Sequence, residues 1–200
     1  MPKPFSESER TYIKTRLIEA ARECMIRYGI RKTTVDEIVR RVGIPKGTFY
    51  LFYETKEHLL FDVFRELHDE YQGKIMSEIA AIEGDIHAEN LTDLLYRMYQ
   101  DLDRSEMARL MSEGEVEYLF RKLPPELNQL HAEQDDFRIE ELITMVPNIN
   151  INKISAYRAA LRGVFMSLIH KKDVGEDVFD EALRIMIRGV VIQMFEGDRK

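Results

Sequence analysis

The sequence predicts an all-α protein: a small basic helical module at the N-terminus, a long connecting helix and an acidic helical body. Three observations carry this. Apolar residues recur at three- and four-residue spacing almost throughout, and no run alternates with period two for a useful length. Capping-box spacings and glycines mark helix ends at the same places. The charge is divided: residues 1–60 hold 12 Lys/Arg and 8 Asp/Glu, net +4, whereas residues 61–200 hold 17 and 28, net −11. Such asymmetry points to a basic binding module on an acidic body.

The first helix spans about residues 7–28. Ser6 to Glu9 has capping-box spacing, Tyr12, Ile13, Leu17, Ala20, Ala21, Cys24, Met25 and Tyr28 form one stripe, and Gly29 supplies a left-handed stop. A second box, Thr34 to Glu37, opens a short helix with the stripe Val35, Ile38, Val39, Val42, ended by Gly43. Pro45 suits the start of a further short segment through Tyr53. From Thr55 a fourth helix carries Leu59, Leu60, Val63, Phe64, Leu67, Tyr71, Ile75 and Ile79 to about residue 82. At 1.5 Å per residue it is about 40 Å long, enough to join two domains. Helices follow over 91–102, 107–123 (with Gly114 as a break point), 125–144, 154–169 and 178–195. The link 170–175 is short, which favours antiparallel neighbours, and Asp173 with Glu176 has capping-box spacing.

Composition narrows the function classes. Hydrophobic residues make up 44% and charged residues 32%, an ordinary globular balance. One cysteine, Cys24, allows no intrachain disulfide or multi-cysteine metal site and reads as buried. The five histidines lie far apart without metal-ligand spacing, and there is no P-loop or dinucleotide fingerprint. No catalytic residues, metal or cofactor are expected, and the chain does not read as an enzyme. No signal peptide or membrane span is visible, so a cytoplasmic location without membrane attachment is expected.

Residues 34–56 carry the functional signal. Two short helices joined by Gly43-Ile44-Pro45, with Phe49 and Phe52 packed inward and Lys46, Thr48 and Tyr50 outward, form a helix-turn-helix layout. Lys46 can donate to phosphate or guanine, and Thr48 and Tyr50 can donate to phosphate. Thr33 and Thr34 lie where hydroxyls and free amides can grip a phosphate, and Lys56, in the first turn of the fourth helix, makes sense if an anion arrives.

The run Gly29-Ile30-Arg31-Lys32-Thr33-Thr34-Val35-Asp36-Glu37-Ile38, followed by Val42-Gly43-Ile44-Pro45-Lys46-Gly47-Thr48-Phe49-Tyr50-Leu51-Phe52-Tyr53-Glu54-Thr55-Lys56-Glu57-His58-Leu59-Leu60, resembles the DNA-binding domain of the tetracycline-repressor-like (TetR/AcrR) family of bacterial regulators. Val39 stands where the family usually has a small residue, and Tyr53 where it usually has phenylalanine. The resemblance implies a three-helix DNA head over 1–55 and, over 56–200, a helical effector-binding and dimerisation domain. By position, Lys46, Thr48 and Tyr50 would lie on the reading helix, Gly47 would allow close approach, Thr34 and Lys56 would touch phosphate, and Arg31 and Lys32 could approach one.

The body then needs an effector pocket and a dimer face. Aromatic and Met side chains suit a mostly apolar effector, with Leu67, Tyr71, Tyr96, Tyr99, Met111, Phe120, Phe137, Tyr157 and Phe165 as candidates. The last two long helices are apolar over more than one stripe. Their excess suggests a twofold four-helix interface through Ala160, Val164, Leu168, Phe179, Leu183, Met186, Val190 and Met194. The reading is a homodimeric regulator of a palindromic duplex operator, a repressor released by a small molecule that tilts the fourth helix. The alternative is a helical interaction protein that no longer binds DNA or a ligand.

Overall fold

The computed structural model describes residues 5–82 and 85–196, apart from the side chains of Ser112, Asp136 and Phe137. Phe137, one of the expected pocket residues, therefore lies outside the described side chains. Among the described residues there is no strand.

Helix α1 runs Glu7–Tyr28 and opens on the expected reciprocal box: Ser6 Oγ accepts from the Glu9 amide, and the Glu9 carboxylate accepts from the Ser6 amide at 2.7 Å. That backbone bond, with the Ser6 hydroxyl, lowers the Glu9 carboxyl pKa. Helix α2 is Val35–Val42, capped by the Thr34 hydroxyl on the Glu37 amide and closed by Gly43 at φ 78°. Helix α3 is only Lys46–Phe49, but amides of Leu51, Phe52 and Tyr53 continue the turn onto Thr48 and Phe49 carbonyls. Helix α4, Lys56–Ala80, starts at Thr55, whose hydroxyl accepts from the His58 amide.

Two compact units form, and they do not divide at residue 55. The first takes the chain up to Asp69 together with Glu113–Pro125. Its core is Leu17, Ala21, Cys24, Met25, Ile30, Ile38, Phe49, Leu59, Leu60 and Val63, all buried. Burial raises the Cys24 thiol pKa. Helix α7, Glu115–Lys122, joins this unit because Val116 and Leu119 are buried and Phe120 meets Phe61 and Phe64 edge-on, at 6.0 and 5.5 Å. The expected single helix over 107–123 is thus two, parted at Gly114, whose φ of 66° lies in the left-handed region that favours glycine.

The second unit holds Glu70–Ser112 and the chain from Glu126 on. Its helices are the rest of α4, α5 (Ala88–Asp103), α6 (Glu106–Ser112), α8 (Pro125–Thr144), α9 (Ile154–Ile169), α10 (Lys171–Val174) and α11 (Phe179–Phe195). A His87–Asn90 capping box starts α5 three residues before the apolar stripe announces it. Asp173 and Glu176 form no capping box. Helix α10 occupies that link, Asp173 faces His170, and Val178 caps α11 without a side-chain bond.

Helix α11 packs on α5 and on α9. Phe179, Leu183 and Met194, and on α9 Val164 and Leu168, are therefore buried inside one chain. This corrects the expected dimer face, because these five side chains are spent on the monomer's own core. Ala160, Met186 and Val190 are half-buried. The stripes left outside carry Ala159, Gly163 and Met166 on α9, and Ile185 and Gly189 on α11. Ile185 is 64% exposed, and a Cβ on either glycine would meet no atom within 4 Å.

Candidate nucleic-acid interface and effector cavity

The interface is built on the loop between α1 and α2. Gly29 takes φ 82° and ψ 169°, turning the chain so that Ile30 plugs the core. Thr33 braces the turn: its hydroxyl and amide both donate to the Gly29 carbonyl, at 2.7 and 3.2 Å. Thr33 is 1% exposed, so its hydroxyl is a loop brace and not the surface phosphate donor expected. Thr34, in contrast, is exposed at the N-cap of α2.

Lys56 also departs from expectation. Its Nζ donates to the carbonyls of Ile30, Arg31 and Thr33, at 3.1, 3.2 and 2.7 Å. Three carbonyls use all three ammonium donors. The side chain ties the start of α4 to the loop before α2, and so fixes the frame around α3 instead of presenting a charge to solvent.

The other face of that loop is held by α7. The Arg31 amide donates to Glu115 Oε2 at 2.8 Å, and the Arg31 guanidinium donates to the Gly114 carbonyl at 3.0 Å and lies over Tyr118. Glu115 is buried, and its carboxylate packs over Gly29. No local pattern could announce this contact, since its partners stand 84 positions apart.

Residues 45–53 are two-sided. Phe49 and Tyr53 are buried, and the additional hydroxyl of Tyr53 finds Asp62 at 3.0 Å. Outward stand Lys46, Gly47, Tyr50 and Leu51, with Thr48 half-buried. Tyr50 is 53% exposed and its ring stands edge-on to Phe49 at 5.3 Å. A Cβ at Gly47 would meet nothing within 4 Å, so a duplex could approach the backbone there. Lys46 pairs with Asp36 across the turn at 2.9 Å, which raises the ammonium pKa and keeps it charged. Arg10, from α1, donates to the Leu51 carbonyl at 3.4 Å and lies over the Phe52 ring.

In the second unit, a cavity of about 340 Å³ is lined by Leu102, Ala108, Met111, Phe165, Leu168 and Ile169, with Asp103, Arg104, Ser105, Glu106 and Arg109 as its polar side. Met111 and Phe165 were expected there. The other described pocket candidates are used differently. Tyr71, Tyr99 and Tyr157 send their hydroxyls to the carbonyls of Met98, Leu161 and Gln193. Burial pushes the Tyr71 and Tyr99 phenols well above their ordinary range. Tyr96 accepts from Gln100 and lies under Arg184, Phe120 belongs to the first unit, and Leu67 is half-buried on α4. Among the described residues no group of three or more His, Cys, Asp or Glu could hold a metal ion, and no helix is long and apolar enough to cross a membrane.

Residues 17–63, which contain this two-sided segment and its supports, match the family model of bacterial regulatory proteins of the tetR family. By this segment the chain is similar to that family. It is 31% identical over 106 residues to the HTH-type transcriptional repressor KstR2 of Rhodococcus jostii, covering 53% of this chain and 51% of that protein. The chain thus spans about half the length of that curated relative, and smaller shares of others. Solved structures share the fold. A TetR-family transcriptional regulator from Streptomyces coelicolor superposes with a TM-score of 0.65 at 15% identity, covering 93% of this chain and 97% of that one. The regulator FadR from Bacillus subtilis, in complex with stearoyl-CoA, gives 0.60 at 16% identity, covering 91% and 99%.

Proposed function

We propose that this chain is a homodimeric, sequence-specific DNA-binding regulator, a cytoplasmic repressor that a small, mostly apolar ligand releases from a palindromic operator. The observation that carries it is the two-sided build of residues 45–53. Phe49 and Tyr53 anchor the segment, while Lys46, Gly47 and Tyr50 stand in solvent beside the exposed cap Thr34. A cation, a phenol and an open backbone are what a reading segment needs against phosphate and base edges. Two such heads in a dimer would sit about 34–36 Å apart on successive major grooves.

The exposed stripes with Gly163 and Met166 on α9 and Ile185 and Gly189 on α11 support the dimer, since their glycines let partner helices approach closely. The cavity supports the ligand. Its volume of about 340 Å³ lies near the low end of ordinary ligand sites, with apolar walls and a few charged groups. FadR from Bacillus subtilis, which shares the fold, is solved in complex with stearoyl-CoA; a cavity of about 340 Å³ suits a compact, mostly apolar compound. The experiment is enrichment of bound sequences from a random duplex pool, followed by titration of the winner. Lys46→Ala and Tyr50→Ala should each weaken binding at least fivefold while leaving the circular dichroism spectrum unchanged. No enrichment, or unaltered affinity in both variants, would reject the reading.

A further inference from the structure

We infer that Leu51 is a base-reading residue that recognises a thymine methyl group in the major groove; this rests on the DNA-binding reading above. Leu51 is 58% exposed, slightly more than its neighbour Tyr50. A single exposed leucine is ordinary on a protein surface. This one is set apart by how it is held and by what surrounds it. Its amide donates to Thr48 at 3.1 Å, and its carbonyl accepts from Arg10 at 3.4 Å. The Arg10 guanidinium lies 5.0 Å from the centre of the Phe52 ring, so the same side chain grips two consecutive residues. The backbone at Leu51 is thereby fixed, and the side chain is presented on a defined bearing. Lys46, Gly47 and Tyr50 share the exposed part of the segment.

Phosphate oxygens, and the donors and acceptors of base edges, give an isobutyl group nothing. The one apolar group that unmodified duplex DNA displays in the major groove is the C5-methyl of thymine. A leucine set among the cation, phenol and bare backbone of a reading segment therefore selects thymine at one position of each half-site. Burying one methyl is worth about a fourfold change in affinity per head.

The test uses the full-length protein and the duplex that it enriches from a random pool. Each thymine of that duplex is replaced in turn by deoxyuridine, which removes only the methyl. Wild type and Leu51→Ala are titrated against the series. The expected result is one thymine per half-site whose replacement weakens the wild type about fourfold, while Leu51→Ala binds the two duplexes equally. A wild type indifferent to every replacement, or a variant that keeps the wild-type deoxyuridine penalty, overturns the inference while leaving DNA binding intact. Failure to enrich any duplex removes the DNA-binding reading and this inference with it.

Discussion

Gly29→Ala is expected to unlock the first unit. The residue sits at φ 82° and ψ 169°, a region that only glycine occupies without strain, and an alanine there costs about 1–3 kcal/mol. Space adds a second cost. The new Cβ would lie 3.3 Å from both Cδ and Oε2 of Glu115. Glu115 has little room to retreat, because it is buried and Oε2 holds the Arg31 amide at 2.8 Å. Losing that charge-assisted bond is worth about 1.5–3 kcal/mol. The total, about 2.5–6 kcal/mol, is a large part of the ~5–15 kcal/mol that keeps a domain folded. Hydrogen exchange of α1 and α2 amides in increasing urea reads this unit alone. Adding Glu115→Ala should return part of the Gly29→Ala penalty, because the clash has then gone. A Gly29→Ala cost below about 1 kcal/mol would refute the backbone argument, and an undiminished cost in the Glu115→Ala background would refute the steric one.

Three further outcomes are expected. The Glu37 carboxyl is held down at about 2, first by its hydrogen bond from Arg40 and then by that from Arg41. A depressed pKa stabilises the folded state above the ordinary carboxyl value of 4.5 and loses that effect as pH falls toward 2, so Glu37→Gln should flatten the acid limb of a stability–pH profile. Tyr53, Tyr71 and Tyr99 have phenols raised chiefly by burial, so these three should be missing from the phenolate absorbance step near pH 10 and appear only as the chain unfolds. Folding favours their protonated forms, and that preference is present below pH 10 and lost as pH rises through the folded values. Ile185→Glu, on the exposed stripe of α11, should give a folded monomer by light scattering, and an unchanged dimer would place the interface elsewhere.

The head was legible because its signals are local. Thr34 with Glu37, Gly43 and the stripe through Ile38 specify a capped helix within ten residues, and Pro45 and Phe49 set the next segment. The roles of Thr33 and Lys56 were not legible, because each depends on where carbonyls of a non-repetitive loop point. Glu115 over Gly29 was hidden for a stronger reason: it joins residues 86 positions apart with no pattern shared between them. In α11 the failure has another source. Apolar residues cover Phe179, Leu183, Ile187 and Val191, but also Ile185 and Met186, so periodicity alone cannot say which stripe its neighbours bury. Three tyrosine candidates lie away from the cavity because a tyrosine's hydroxyl decides its place: Tyr71, Tyr99 and Tyr157 each reach a carbonyl of another helix.

The most direct test of the account is the salt dependence of duplex binding in the wild type and Lys46→Ala. Fluorescence anisotropy against the enriched duplex, over a range of salt, gives the slope of log affinity on log salt, about −0.9 for each phosphate neutralised. With one Lys46 per head, the variant should bind more weakly and its slope should be shallower by about two for the dimer. Binding that ignores salt, or a variant with the wild-type slope and affinity, would contradict the claim that this face of the head grips DNA.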